Sequence, residues 1–334
     1  MGLTSIAQAQ MSDKPAPAPE KWTVLYGEYM MGDQKLLFRE DMGHFEVLFN
    51  PPANGKNIEN LKFWRLTEQS GTTFTYTVNG ELSTFSFKFN DGGQTNAVLW
   101  NDQTYKRNFI EPGNGDTFKV KLDKSIEEYT KDALAATPPV QKGEFREADL
   151  VDVTTVLDHV KLDIRYATKN NFLDVPTYSQ AKSFFQRPAL MALNRANKHF
   201  NEMGFGLLIH DTYRPWYVTK IFWDATEGDE RNFVANPESG SKHNMGSAVD
   251  LTLYDLKTGE VIKMVGTYDE MSDRSYPEYL GGTSLERWHR NLLRTVIEAE
   301  GFKVVSNEWW HFDHEEWRNY PILNKTFEEL LAEK

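Results

Sequence analysis

The sequence predicts two domains, a small antiparallel all-β domain followed by an α+β domain. Short strand-like runs fill residues 21–121, and no long helical period interrupts them. Residues 148–334 instead mix helical spacing with strand-like runs, which is typical of an α+β domain. The segment between them, 122–147, is charged and contains a Pro-Pro pair, so we interpret it as a linker with one candidate helical stretch around 126–136.

The composition is that of a folded protein without a nucleic-acid partner. A chain of 334 residues, 40% of them hydrophobic, is long enough for two domains with apolar cores. The formal net charge is -12 and no Lys/Arg cluster is present, whereas phosphate binding requires a basic surface. With no cysteine in the chain, any metal must be held by histidine and carboxylate ligands.

The first twenty residues differ in character from the rest. Met1–Gln10 is uncharged and closes with a small-x-small pattern, like the end of a secretory signal. Ser12–Glu20 is a Pro/Ala-rich spacer that we expect to be extended. This pattern favours a periplasmic or otherwise exported protein, and the alternative is a disordered tail on a cytoplasmic one. No apolar run reaches the roughly 18–20 residues of a membrane span.

The predicted β domain contains one strong turn signal. Asn79-Gly80 separates the alternating runs 73–78 and 82–89, as in a two-residue β-hairpin. Further strand-like runs lie at 22–30, 35–39, 44–49, 61–66, 97–100 and 105–110. No motif in this domain indicates its role. Binding of cell-wall material, binding of a protein partner and packing against the second domain all stay open.

The α+β domain shows three helical and three strand-like segments. Helical spacing predicts helices at 188–203, 216–225 and 286–300, and glycines follow the first and the last of them, as helix ends favour. Apolar runs predict strands at 205–210, 248–254 and 302–312.

One histidine of this domain lies in a motif with a nearby carboxylate. In the run SKHNMGSAVD, His243 precedes Gly246 by three positions and Asp250 follows on a predicted strand. Since glycine permits a tight bend, His243 and Asp250 can converge although they are seven residues apart. A catalytic zinc typically takes three protein ligands and leaves one position for water. Alone, however, such a histidine is usually only a polar residue.

A second histidine follows a carboxylate in the run EWWH. Glu308 and His311 would share a face on a helix but would point to opposite faces of a regular strand. Because 302–312 looks like a strand, their convergence requires a twist, a bulge or a strand end. His311 would complete a set of two imidazoles and one carboxylate, and Glu308 would supply the base beside a metal. His314 is the alternative imidazole ligand.

Together these motifs resemble a known enzyme family. S-x-H-x-x-G-x-A-x-D followed by E-x-W-H is similar to the zinc D-alanyl-D-alanine dipeptidases of the vancomycin-resistance (VanX) type, relatives of D-Ala-D-Ala carboxypeptidases and the hedgehog signalling domain. The resemblance covers about residues 148–321 and includes RYAT at 165–168, DTYRP at 211–215, LTLY at 251–254 and DEMSD at 269–273. It implies a hedgehog/D-Ala-D-Ala peptidase-like fold and hydrolysis of the free dipeptide.

The resemblance also implies the reaction centre. It makes His243, Asp250 and His311 the ligands of one zinc per chain, and it favours His311 over His314. Glu308 becomes the general base and acid.

By the same resemblance, other residues bind the substrate or stabilise charge. Arg214 corresponds to the group that stabilises the developing oxyanion, and Asp211 is its orienting partner. Tyr166 and Asp269 match the positions that hold the substrate ammonium group. Ser241 matches the position that meets the substrate carboxylate. The structural alternatives are that Arg214 merely pairs with Asp211 and that Asp269 caps a turn.

Three functions therefore stay open. The first is a D-Ala-D-Ala dipeptidase that takes a small dipeptide substrate. The second is a D,D-carboxypeptidase or endopeptidase acting on longer peptidoglycan stem peptides, which Asp269 disfavours because a group that captures a free ammonium rejects longer chains. The third is a non-catalytic zinc-bearing binding module, which Glu308 and Arg214 disfavour because such a module needs neither.

Overall fold

The first part of the chain is an antiparallel sheet, as predicted. The computed structural model describes residues 13–52, 55–56, 58–109 and 118–332, so the predictions for Met1–Gln10 and Ile110 lie outside it. The strands of this sheet are β1 (Gly27–Met31), β2 (Gln34–Asp41), β3 (His44–Phe49), β4 (Phe63–Arg65), β5 (Thr67–Ser70), β6 (Thr73–Val78), β7 (Glu81–Phe89), β8 (Thr95–Trp100) and β9 (Gln103–Arg107).

The sheet closes on itself into a barrel. Its strand order is β4-β3-β2-β1-β9-β8-β7-β6-β5, and only Leu66 separates the two edge strands β4 and β5 along the chain. The interior is filled by buried aromatic rings such as Phe38, Phe45 and Phe85, which pack edge-on or stacked.

The predicted hairpin turn is confirmed. Asn79 and Gly80 have φ angles of 53° and 84°, and the strands on either side pair in register from Thr73↔Ser86 to Val78↔Glu81. Positive φ at both central residues is what the two-residue hairpin turn requires.

The second part of the chain mixes helices and strands. Its strands are β10 (Leu150–Asp152), β11 (Lys161–Leu162), β12 (Phe184–Gln186), β13 (Phe205–Asp211), β14 (Ala248–Asp255), β15 (Phe302–Val305) and β16 (Glu308–His314). Its helices are α1 (Ile126–Ala135), α2 (Arg187–Glu202), α3 (Trp216–Asp224), α4 (Ser284–Glu298) and α5 (Phe327–Ala332). None of the helices in the described ranges combines the length and the apolar character needed to cross a membrane.

Helix α1 lies within the segment that we interpreted as a linker. A capping box between Ser125 and Glu128 begins the helix, and Tyr129 and Ala133 are buried where it packs against α3. The domain boundaries themselves remain predictions.

A five-stranded sheet forms the centre of the second part. Its order is β11-β13-β14-β16-β15. The pairs β13–β14, β14–β16 and β16–β15 are antiparallel, whereas β11 pairs with β13 in parallel. Helices α2 and α4 pack on this sheet, and β13 is buried along its whole length. The register places Asp250 opposite Asp211 on one side and His311 on the other. Residues from three distant parts of the sequence therefore meet at the middle of the sheet.

The predicted single strand 302–312 is wrong. The structure has two antiparallel strands, β15 and β16, joined by a turn at Ser306-Asn307, with a register shift between Val304 and Val305. Serine and asparagine favour turns because their side chains bond to the nearby backbone. The turn makes Glu308 the first residue of β16.

Candidate metal centre and active site

The loop before β14 fixes the first two ligand positions. His243 lies in a 3-10 turn, where the Ser241 hydroxyl accepts a hydrogen bond from the His243 N–H at 3.2 Å. Gly246 ends the turn with a φ of 64°, and a Cβ at this position would come within 2.5 Å of a leucine side chain. Only glycine fits this bend without displacement, so Gly246 allows His243 to turn back toward Asp250 on β14, as the sequence predicted.

Three ligand atoms of the sequence-predicted set converge. Nδ1 of His311 lies 2.9 Å from Oδ1 of Asp250, and Nε2 of His243 lies 3.3 Å from the same oxygen. The two imidazole nitrogens are 3.2 Å apart. All three residues are buried, and within the described ranges they form a group that could hold a metal ion.

The surrounding contacts set the tautomer of each imidazole. Nδ1 of His243 lies 2.6 Å from the Thr212 carbonyl oxygen, and Nε2 of His311 lies 2.9 Å from Oδ1 of Asp313. A neutral ring that donates to these acceptors keeps a lone pair on its other nitrogen, and both lone pairs then face Asp250. Oδ1 of Asp250 is buried and accepts no hydrogen bond of good geometry within the described structure.

This donor set fits a divalent cation. Two nitrogen lone pairs and a carboxylate oxygen repel one another at such distances unless a cation lies among them. Two imidazoles and one carboxylate are also a ligand set that catalytic zinc takes. Burial alone would raise the pKa of Asp250, but positive charge at His243 and His311 holds it well below its usual range, and a cation bound among these ligands would act in the same direction, so this ligand is an anion.

Glu308 lies next to the ligand set. The strand end and the register shift bring it to the same side as His311, with its Oε2 3.5 Å from Nδ1 of His311. Burial, and secondarily the Asp250 charge, raise the pKa of Glu308 to about 7, while His311 opposes the shift. A carboxyl group with a pKa near neutrality is suited to both accepting and donating a proton.

Arg214 and Asp211 form a buried ion pair behind the ligands. Nε and Nη2 of Arg214 lie 2.9 and 2.8 Å from Oδ2 of Asp211. The other Asp211 oxygen accepts hydrogen bonds from the Thr212 N–H and from the Tyr178 hydroxyl. This network fixes the guanidinium, whose Nη2 lies 3.8 Å from Asp250.

Asp269 is a buried carboxylate with an unsatisfied oxygen. Its Oδ1 accepts a hydrogen bond from the Tyr166 hydroxyl at 3.1 Å, whereas its Oδ2 has no hydrogen-bond partner within the described residues. Burial raises the pKa of Asp269 well above its usual range, and Asp250 adds to the shift. A buried acceptor left unpaired in a pocket is suited to a ligand that brings a donor.

One cavity of about 210 Å³ unites these groups. Its lining includes all but one of the predicted site residues: Tyr166, Arg214, Ser241, His243, Asp250, Asp269, Glu308 and His311. The exception is Asp211, which lies behind Arg214 rather than in the lining. Phe233, Val234 and Asn307 contribute further walls, and the Asn307 side chain donates to the Asn232 carbonyl at 2.6 Å.

Three contributors to the site were missed by sequence reasoning. Asp313 carried a usable signal, because residues two apart on a strand share a face and it follows His311 by two. Tyr268, whose hydroxyl donates to Oδ2 of Asp250 at 3.1 Å, directly precedes Asp269. Thr212 contributes only a backbone carbonyl, which leaves no side-chain signal. The alternative ligand His314 instead accepts from the backbone N–H two residues on.

Comparisons with known proteins indicate the same family as the sequence motifs do. A protein-family profile described as D-Ala-D-Ala dipeptidase matches residues 146–331. The D-alanyl-D-alanine dipeptidase of Escherichia coli (strain K12) is 30% identical over 179 residues, which is 54% of this chain and 91% of that protein. The D-alanyl-D-alanine dipeptidase of Enterococcus faecalis is 34% identical over 175 residues, covering 47% of this chain and 87% of that protein.

A further relative and one solved structure are also similar. The D-alanyl-D-alanine dipeptidase of Enterococcus faecium is 32% identical over 203 residues, covering 52% of this chain and 93% of that protein. The LdcB LD-carboxypeptidase structure aligns with 64% of this chain and 97% of its own at 16% identity, with a TM-score of 0.30. That score is too low to bear on the fold.

Proposed function

Because the chain belongs to the D-Ala-D-Ala dipeptidase family of metallopeptidases, we propose that it hydrolyses D-Ala-D-Ala to two D-Ala with zinc held by His243, Asp250 and His311. The observation that carries this proposal is the pocket in which the ligand set, Glu308 and the unsatisfied Asp269 carboxylate meet. A small pocket that contains both a metal ligand set and a carboxyl group with an unpaired oxygen suits a short substrate with a free amine.

The chain's own residues account for the proton transfers. Zinc, when bound, supplies a Lewis acid that polarises a carbonyl and lowers the pKa of water to about 7. Glu308 takes the proton of the attacking water and delivers it to the leaving amine, a role that its raised pKa supports. Arg214 offers a fixed positive charge to the developing oxyanion, an interaction commonly worth about 3–4 kcal/mol. Asp211 holds the Arg214 guanidinium in place.

Both ends of the dipeptide require recognition. In our proposal, the substrate ammonium pairs with Asp269, and Tyr166 fixes that carboxylate by its hydrogen bond. The Ser241 hydroxyl lines the pocket and donates to the substrate carboxylate. Leaving a buried carboxylate without a cation costs free energy, so a dipeptide with a free amine should bind more tightly than one whose amine is blocked.

A product assay tests this function against the alternatives. We expect D-Ala release from free D-Ala-D-Ala, little from L-Ala-L-Ala or from a D-Ala-D-Ala-terminated pentapeptide, and none in the presence of a chelator. Comparable kcat/KM values for the pentapeptide and the free dipeptide would favour a carboxypeptidase with the same metal chemistry. No hydrolysis of any substrate by zinc-loaded protein would favour a binding module.

Export to the periplasm is a second part of the proposal. The small-x-small pattern near the end of Met1–Gln10 motivates it. Fractionation of the native host should place the dipeptidase activity in the periplasm, and activity confined to the cytoplasm would contradict it.

A further inference from the structure

The segment that carries Asp269 is largely irregular. Residues 264–287, which we call the amine-recognition segment, contain only a 3-10 turn at 273–275 and the first turn of α4. Asp269 itself has a φ of 60°, a left-handed conformation that side-chain-bearing residues adopt at a cost. Such a segment keeps one conformation only if contacts around it hold it in place.

One set of contacts lies within the segment. The Glu270 carboxylate is fully buried, accepts a hydrogen bond from the Thr267 N–H at 3.0 Å and pairs with Arg274 at 2.6 Å. These contacts close the turn that follows Asp269. Asp273, on the same turn, lies against the barrel.

The barrel holds this turn through Lys35. The Lys35 ammonium on β2 pairs with Asp273 and lies 3.4 Å from Oε2 of Glu28 on β1. The side chains of Lys35 and Glu28 are only 16% and 3% exposed, so water screens these charges less than it screens a surface pair. This contact lies four residues from Asp269 along the chain.

The barrel holds the other end of the segment through Glu40. Oε2 of this buried carboxylate accepts a hydrogen bond from the Ser284 N–H in the first turn of α4 at 2.7 Å. A carboxylate at a helix N-terminus interacts favourably with the helix dipole. In addition, Arg287 donates to the Glu40 carbonyl and to Asp41.

A third contact falls between these two. Nη1 of Arg39 donates to the Leu280 carbonyl at 3.2 Å, while Nε and Nη2 bind Glu46. Leu37 and Leu48 of the barrel also belong to the same buried hydrophobic cluster as Tyr279 of the segment. The barrel thus contacts the segment at residues 273, 280, 282, 284 and 287.

Yet the barrel contributes no residue to the lining of the catalytic pocket among the residues described. We infer that the barrel positions the amine-recognition segment, and that Lys35 and Glu40 thereby set the preference for a dipeptide with a free amine. This inference rests on the proposed function, since it assigns Asp269 to the substrate ammonium. Lys35 and Glu40 are positioning residues and touch no substrate.

The inference predicts a change in KM without a matching change in kcat. When a binding-competent arrangement is only partly populated, apparent affinity falls by the populated fraction. In Lys35→Met, KM for free D-Ala-D-Ala should rise about five- to tenfold, with kcat within about twofold of wild type. The kcat/KM for N-acetyl-D-Ala-D-Ala should not change, because a blocked amine gains nothing from Asp269. Zinc content should equal that of the wild-type protein.

Full-length variants test the inference. Lys35→Met and Glu40→Met remove the two contacts, and Lys35→Arg should restore the wild-type KM. Lys21→Met is the control, because the exposed Lys21 pairs with Glu68 on β5 at 2.6 Å rather than with the segment. Asp273→Asn should reproduce Lys35→Met, and the double variant should lose no more than either single variant, as expected for one shared interaction.

The outcomes are distinct. The inference is supported if Lys35→Met raises KM for the free dipeptide but not for N-acetyl-D-Ala-D-Ala, while Lys35→Arg and Lys21→Met keep the wild-type KM. An unchanged KM in both Lys35→Met and Glu40→Met overturns it. An equal loss on both substrates with a lowered Tm overturns it too, because that pattern belongs to a purely structural contact. Wild-type protein that cleaves neither substrate overturns the proposed function, and this inference with it.

Discussion

At the scale of single residues, the contact between His311 and Asp313 decides which imidazole nitrogen faces the ligand set. Nε2 of His311 lies 2.9 Å from Oδ1 of Asp313, which leaves Nδ1 toward Asp250. Carboxylates in this position orient the ring and raise its basicity as a ligand. Asp313 is therefore a support of the site that touches no substrate.

Replacing Asp313 should weaken metal binding. In Asp313→Ala, we expect zinc affinity to fall about 10- to 100-fold, because the His311 ring loses the acceptor that fixes its tautomer. Competition with a chromophoric chelator measures this affinity. Glu316→Gln, which removes an exposed pair with Arg146, is the control and should bind zinc like wild type. Equal affinities in all three proteins would contradict the assignment.

Replacing Glu308 should lower turnover without changing zinc binding. Glu308→Gln is nearly isosteric but cannot accept a proton, so kcat should fall at least about 100-fold while the zinc content stays at one per chain. Metal analysis and steady-state kinetics of the same preparation check both parts. Turnover near the wild-type rate would exclude Glu308 as the base.

The raised pKa of Asp269 predicts a pH dependence of substrate binding. Below that pKa the carboxyl is neutral and cannot pair with an ammonium, so KM for the free dipeptide should rise as pH falls through it. The KM for N-acetyl-D-Ala-D-Ala should show no such change. Asp269→Asn should abolish this pH dependence and raise the KM of the free dipeptide toward that of N-acetyl-D-Ala-D-Ala. A pH-independent KM for the free dipeptide in wild type would show that Asp269 does not bind the amine.

At the scale of elements, two short turns decide the site. The bend at Gly246 was predictable, because a glycine three residues after a histidine and four before a strand aspartate is a local signal. The turn at Ser306-Asn307 was not predicted, because apolar residues on both sides suggested one continuous strand. Residue types such as serine and asparagine can indicate a turn locally. The register shift that positions Glu308, however, depends on how β15 and β16 pair, which the sequence does not show.

The bend offers a matched pair of glycine substitutions. Gly246→Ala should lose about 1–2 kcal/mol to the left-handed backbone and about 1–3 kcal/mol more to overpacking. A Cβ there would meet a leucine side chain at 2.5 Å. Gly204→Ala is the control, because Gly204 also has positive φ but has nothing within 4 Å of an added Cβ.

Denaturant unfolding and metal analysis compare the two variants. We expect Gly246→Ala to be the less stable protein and to lose zinc, since the bend aligns His243 with Asp250. Equal destabilisation, with the zinc retained in both proteins, would show that the bend is not needed for the site.

At the scale of the whole molecule, sequence reasoning reached the all-β and α+β character of the two parts and three residues that converge as a candidate ligand set, but not how the two parts meet. Periodicity and local motifs identify elements and sites. Nothing local marks Lys35 and Asp273 as partners, because 238 residues separate them. The curling of the sheet into a barrel was equally hidden, since it depends on aromatic packing between β1–β3 and β6–β7, which are distant in the sequence.

The central claim is that one zinc in the His243–Asp250–His311 set makes this chain a D-Ala-D-Ala dipeptidase. The most direct test is D-Ala release from free D-Ala-D-Ala by metal-free protein during titration with zinc. We predict no D-Ala release without metal, and a rate of release that rises linearly with added zinc until it saturates at one zinc per chain. His243→Ala should show no activity. Full activity without metal, or full zinc occupancy and activity in His243→Ala, would contradict the claim.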